Sequence, residues 1–100
     1  MRRFRDTATR DLWEGISSKA ARRAVSPIHQ AKSRVRLDFV CQAASLASFT
    51  ALPSGADFKE LRGALRGTYQ LRIAGPYRIR FIWQEHQACE IHAGHFHDED

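Results

Sequence analysis

The stretch Gly67-Thr-Tyr-Gln-Leu-Arg-Ile-Ala-Gly-Pro-Tyr-Arg-Ile-Arg-Phe-Ile-Trp83 decides the fold. Side chains alternate between the two faces of a strand, so Tyr69, Leu71 and Ile73 fill a core while Gln70 and Arg72 point the other way. After a Gly75-Pro76 turn the scheme repeats. Tyr77, Ile79, Phe81 and Trp83 form the apolar row, and Arg78 and Arg80 join Arg72 on the opposite side. The hairpin thus presents a rigid cationic surface that suits phosphate. Antiparallel sheets commonly leave one face to solvent, and arginine alone fits that role equally well. The surroundings tip the balance: Arg62 and Arg66 precede the first strand in Leu61-Arg-Gly-Ala-Leu-Arg-Gly67, and a histidine-rich segment, His92 to His97, closes the third. Groups that hold phosphate and groups that move protons at neutral pH therefore converge on one small sheet.

Outward from this hairpin, strands are expected near 67–74, 77–84 and 87–93, an antiparallel meander joined by Gly75-Pro76 and Glu85-His86. The preceding half has helical period. Residues 2–5 suit a short edge strand with Phe4 inward, followed by a helix over 8–14 that Gly15 ends, with Leu12 and Trp13 available to the core. Arg22-Arg23 sits between two candidate helices, and Ser26-Pro27 is a strong helix start. The main helix is expected over 27–47, with Ile28, Ala31, Val35, Phe39, Leu46 and Phe49 as its buried stripe, Ala43 allowing close approach, and Lys32, Arg34, Arg36 and Asp38 off it. Leu52-Pro-Ser-Gly-Ala-Asp57 is a loop. Helices first and a meander afterwards read as α+β: a small single domain over residues 1–100, helices packed on one face of a mostly antiparallel sheet.

A chain of 100 residues is large enough for one core and leaves little room for a separate cofactor module. Sixteen basic against eleven acidic residues give a net charge of +5, and only Lys19, Lys32 and Lys59 are lysines. Arginine excess favours bidentate contact with phosphate, so nucleic acid or an acidic protein is the expected partner. Cys41 and Cys89 form no C-x-x-C pair and read as reduced core thiols. No stretch approaches the roughly 20 apolar residues of a membrane span, and the N-terminal Met-Arg-Arg-Phe-Arg-Asp lacks a signal-peptide core, so a cytoplasmic protein is expected.

Most of the chain also resembles the HigB-type killer proteins of bacterial toxin–antitoxin systems, a branch of the RelE superfamily of small ribonucleases. Phe4-Arg-Asp-Thr-Ala-Thr-Arg-Asp-Leu-Trp-Glu-Gly15 is similar to the family's opening strand and helix, and Leu52-Pro-Ser-Gly55 to the loop before its sheet. The most specific similarity lies in Leu61-Arg-Gly63, Gly67-Thr-Tyr-Gln-Leu-Arg-Ile73 and Tyr77-Arg-Ile-Arg-Phe-Ile-Trp83. The resemblance implies a RelE-like microbial ribonuclease fold and a toxin that cuts messenger RNA in the ribosomal A site without a metal or other cofactor. In such a reaction a ribose 2′-hydroxyl attacks the adjacent phosphate. The implied partners are the ribosome, its message and a helix-turn-helix antitoxin of the HigA type, with operator DNA reached only through the antitoxin and no membrane. By position, the resemblance makes Arg72, Arg78, His95 and His97 catalytic, and Arg62, Arg66, Arg80 and Phe96 RNA-binding.

One departure stands out, because the family's terminal Asp-Tyr-His is His95-Phe96-His97 here. His97 keeps the family's acid/base histidine, His95 replaces a carboxylate, and Phe96 keeps only a ring for packing or base stacking. Strict alternation also puts His95 and His97 with Cys89, Ile91 and Ala93 on the presumed core side, unless Gly94 makes a bulge or ends the strand. Arg78 has a structural alternative, an ion pair with Glu90 across the sheet. Other readings are a metal site built from His92, His95, His97 and the acidic tail 98–100, a gyrase-inhibiting relative of the ParE type, and an inactive module that only binds antitoxin or RNA.

Overall fold

The computed structural model describes residues 1–96. Three α-helices, α1 (Thr7–Glu14), α2 (Lys19–Ala24) and α3 (Gln30–Gln42), precede four strands, β1 (Lys59–Glu60), β2 (Thr68–Ala74), β3 (Tyr77–Gln84) and β4 (Gln87–His95). The strands form one antiparallel sheet in the order β1-β2-β3-β4, and the helices pack on one of its faces. The expected α+β architecture is the one observed. Among the described residues no helix is long and apolar enough to cross a membrane.

The N-terminal segment fixes the far edge of the sheet. It runs beside β4, with Phe4 in a parallel bridge to Ile91, Glu90 N–H donating to the Arg2 carbonyl at 2.8 Å and Arg5 N–H to the Ile91 carbonyl at 2.9 Å. Asp6 then caps α1, its Oδ1 accepting from the Thr9 backbone N–H at 2.9 Å, which satisfies a donor that the first helical turn leaves open. Gly15 ends the helix in the left-handed conformation, φ 79°, as its sequence position predicts. Ser18 caps α2 through the Ala21 N–H at 3.1 Å. Arg22 and Arg23 lie in the last turn of α2 and not between helices, where their charge complements the carbonyl end of the helix dipole.

The main helix departs from expectation in both length and face. Ser26 makes no capping bond, Pro27–His29 is a 3-10 turn, and the α-helix runs only from Gln30 to Gln42. Leu46–Ala51 is a second 3-10 turn, whose Phe49 reaches the sheet and packs against Phe39, Phe58 and Phe81 at ring separations of 5.5, 4.8 and 5.2 Å. Ile28 and Val35, expected inside, are 82% and 69% exposed, and Ala31 is exposed too; Ser33, Leu37 and Val40 are buried instead. Residues two apart differ by roughly 200° around a helix, so Val35 and Leu37 cannot share a face. Both stripes keep the three-to-four spacing, and packing selects the one with Leu37. Ser33 is tolerated there because its hydroxyl donates to the Gln30 carbonyl at 2.8 Å.

The expected apolar rows of β2 and β3 do form the core, with Leu71, Ile73, Ile79 and Phe81 buried and Tyr69, Tyr77 and Trp83 at its rim. The ladder departs from regularity between Arg72 and Ala74 of β2 and again in β4. Arg80 pairs with His92 but Ile82 pairs with Cys89, so β4 carries one residue too many, and Glu90 takes φ 50°. The irregularity lies at Glu90 and not at Gly94, which stays in register opposite Arg78. Cys89 accordingly shares a face with Ile82 and Arg80 rather than with Ile91 and Ala93, correcting its expected place on the core side, although it is buried. The tight turn between β3 and β4 holds Glu85 at φ 52° and His86 at φ 66°, a conformation that favours Asn-Gly.

Two stability predictions follow from these elements. Leu37→Ala should cost about 2–5 kcal/mol and Val35→Ala no more than about 0.5 kcal/mol in urea unfolding, and the reverse order would refute the assigned face. Replacing Glu85-His86 by Asn-Gly should stabilise the fold by roughly 1 kcal/mol, read as a higher denaturation midpoint.

Candidate nucleic-acid interface

The antiparallel register sets the outer face of the sheet. Gln70, Arg80 and His92 lie side by side across three strands, and Arg72, Arg78 and Gly94 form the next row. Arg72 is exposed, whereas Arg78 is only 9% exposed, its Nη1 donating to the Gly75 carbonyl at 2.6 Å and the Tyr77 carbonyl at 3.2 Å. Like charges placed opposite one another on neighbouring strands are unfavourable, so the Arg72–Arg78 pair is a locus where an anion is stabilising. The alternative partner for Arg78 does not form: Glu90 pairs with Arg2, Oε1 to Nη2 at 2.7 Å. That hydrogen-bonded pair holds the Glu90 carboxyl below its ordinary range and raises the Arg2 guanidinium.

Arg80 donates from Nε to Gln70 Oε1 at 2.9 Å, and its guanidinium lies 4.3 Å from the centre of the Phe96 ring. Phe96 in turn meets the His92 ring edge-on at 4.9 Å. Together with Arg5, Leu65 and Thr68, these three side chains line a cleft of about 290 Å³ on the arginine-bearing face. Arg62 and Arg66 flank the 3-10 turn Gly63–Leu65 just before β2, both exposed, and Glu60 Oε2 accepts from the Gly67 N–H at 3.1 Å behind them. A wider cleft of about 540 Å³ lies among Trp13, Glu14, Arg34, Val35 and Asp38, away from the arginine row and mixed in charge.

The structure thus brings Arg72, Arg78, Arg80 and Phe96 onto one face, with Arg62 and Arg66 at the loop that leads into it. It separates His95 from them. His95 pairs with Tyr77 on the helix-bearing side of the sheet, the two rings 6.0 Å apart, and Tyr77 meets His29 at 5.7 Å. His95 thus takes the core-side position that alternation with Ile91 and Ala93 gave it, across the sheet from Arg72 and Arg78. His97 and the acidic tail lie outside the described residues. Among the described residues no three His, Cys, Asp or Glu side chains converge as metal ligands, and His92 and His95 face opposite sides.

His92, which the sequence offered only as a metal ligand, lies on the arginine-bearing face. Its Nε2 is 3.3 Å from Asp6 Oδ2, while Asp6 Oδ1 accepts from the Thr9 hydroxyl at 2.7 Å, and Thr9 Oγ1 accepts from the Ala93 N–H at 3.0 Å. Helix α1 and strand β4 are thereby joined through one buried threonine. The signal for His92 was alternation counted back from Ile91 and Ala93; nothing local pointed to Asp6.

Burial lowers the affinity of His92 for a proton, Asp6 works the other way, and Arg5 and Arg80 lower it further. Because the folded state disfavours the charged ring, the associated stability is present above the ordinary histidine value of about 6.5 and is lost as pH falls through the lower folded value. NMR titration should place the His92 midpoint below 6.5, and Asp6→Asn, which keeps a capping side chain, should lower it again. An unchanged midpoint in that variant would contradict the ion pair.

Compared with known proteins, the chain matches no protein-family model and no curated sequence.

Proposed function

We propose that the chain is a translation-inhibiting toxin similar to the HigB branch of the RelE superfamily, a ribosome-dependent endoribonuclease acting on messenger RNA in the cytoplasm. Arg72 opposite Arg78 on the outer face of the sheet, beside the Arg80–Phe96 stack, carries this reading. Opposed guanidinium groups suit a scissile phosphate whose non-bridging oxygens gain charge as the 2′-hydroxyl attacks. A ring held under an arginine suits a neighbouring base. Arg62 and Arg66 would hold the RNA backbone as it enters along the loop before β2, and a helix-turn-helix antitoxin would silence the protein by covering this face.

One observation favours a second reading. His95 stands on the other side of the sheet from the arginines, so a protein that binds without cutting, or a gyrase-directed relative of the ParE type, fits the same fold.

The distinguishing measurement is message cleavage in a purified translation reaction, with new 5′ ends mapped by primer extension. Arg72→Ala is the cleaner probe, because Arg72 is exposed whereas Arg78 also holds the hairpin turn. Wild type should cut only on ribosomes, and Arg72→Ala should slow cutting by about 10²–10³-fold. His97→Ala should also slow it if that histidine keeps its family role. Intact messages beside a growth-arresting protein would transfer the proposal to gyrase or another target.

A further inference from the structure

We infer that His92, oriented by Asp6, is the proton-accepting residue of the arginine-bearing face, acting on ribose 2′-hydroxyls of RNA. The inference rests on the ribonuclease reading and supplies a base on the face from which His95 is turned away. His92 stands opposite Arg80 across the β3–β4 ladder, and Arg78 lies two residues farther along β3, a distance of roughly 7 Å. It lines the cleft that also holds Arg5, Arg80 and Phe96.

Orientation is what separates a catalytic imidazole from a surface one, and here a carboxylate stands beside one ring nitrogen and the Phe96 ring against the imidazole. Asp6 Oδ2 meets Nε2 at 3.3 Å, and its Oδ1 is immobilised by the Thr9 backbone N–H at 2.9 Å and the Thr9 hydroxyl at 2.7 Å. Thr9 is anchored in turn by the Ala93 N–H at 3.0 Å, so the carboxylate is tied to the residue that follows His92. A base held by a third group, itself held by the backbone, is the arrangement expected of an activated proton acceptor. The Asp6 carboxylate beside Nε2 favours the tautomer with hydrogen on Nε2, which leaves the lone pair on Nδ1. Among the described residues, the charged groups facing the ring are Asp6 ahead of α1, Arg5 on the N-terminal segment and Arg80 on β3, while the Glu90 carboxylate on β4 is taken up by Arg2. Burial keeps the ring neutral at pH 7, and Asp6 stabilises the imidazolium once formed.

The 2′-hydroxyl proton passes to Nδ1 as the 2′-oxygen bonds to phosphorus. The bond from phosphorus to the 5′-oxygen breaks, its electron pair stays on that oxygen, and water supplies the proton. The hydroxide left behind takes the proton from the imidazolium, giving a 2′,3′-cyclic phosphate, a 5′-hydroxyl and the starting imidazole. His92 is the catalytic residue, and Asp6 positions it.

Single-turnover cleavage on programmed ribosomes, measured from about pH 5 to 9, tests this. Wild-type rates should rise with pH and level off, with a midpoint matching the His92 titration in the free protein. His92→Gln should cut at least about 100-fold more slowly and without that midpoint. Asp6→Asn should keep its thermal unfolding midpoint while the rate profile moves to lower pH and its plateau drops, a change that a merely structural role for Asp6 would not produce. Wild-type cutting that His92→Gln leaves intact in rate and profile, or an unmoved profile in Asp6→Asn, overturns the inference and spares the ribonuclease reading. A wild-type protein that cuts nothing overturns both.

Discussion

One surplus residue in β4 governs which side chains meet on the outer face. A two-residue turn at Glu85-His86 pairs Trp83 with Ala88 and Ile82 with Cys89, and uninterrupted alternation from there would send Ile91, Ala93 and His95 outward with Arg78 and Arg80. Ile91 and Ala93 are apolar and belong in the core, so the strand inserts Glu90 as a bulge and reverses its phase. The backbone cost of φ 50° at a glutamate is met by what the bulge gains. Glu90 N–H donates to the Arg2 carbonyl, its carboxylate takes the Arg2 guanidinium, and Ile91 N–H donates to the Arg3 carbonyl at 3.0 Å. The N-terminal segment thus docks where the ladder breaks, and the same break exchanges His95 for His92 beside the arginines.

The sheet was largely legible in the sequence, because its signals are local. Alternation in Tyr69 to Ile73 and Tyr77 to Trp83 specifies the face of each side chain, and with it the arginine row, whereas the register that sets Arg72 opposite Arg78 depends on an irregularity between Arg72 and Ala74. The helical half was less legible for a physical reason. Ile28, Ala31 and Val35 keep helical spacing as well as Ser33, Leu37 and Val40 do, and only the shape of the sheet below selects between them. The short strand β1 was missed because two residues carry no period, and the shift from α-helix to 3-10 turn after Gln42 serves Phe49, whose partners Phe58 and Phe81 are distant in sequence.

Legibility of the candidate site divides along the same line. Arg72, Arg78 and Arg80 could be assigned to one face from neighbouring residues alone. The side of His92 follows likewise from alternation with Ile91 and Ala93, but its neighbour Asp6 does not. Its link to Asp6 bridges the two ends of the described chain. Composition reveals five histidines, and position in the ladder decides what each of them faces.

The arginines themselves are not equivalent. A guanidinium that already donates to fixed oxygens has lost most of its rotamer freedom, so contacting an anion costs it little further entropy. Arg78 is such a group through the Gly75 and Tyr77 carbonyls, and Arg80 through Gln70 and the Phe96 ring. Arg72 is exposed and directly opposite Arg78, so its position responds to whatever charge lies between them. In the proposed reaction a preorganised cation beside an adaptable one would suit a phosphate whose charge distribution changes, the fixed group being aimed before the charge develops. Because Arg78 is fixed by the hairpin turn, the Gly75-Pro76 turn is part of the electrostatic design of this face as well as a connection between strands.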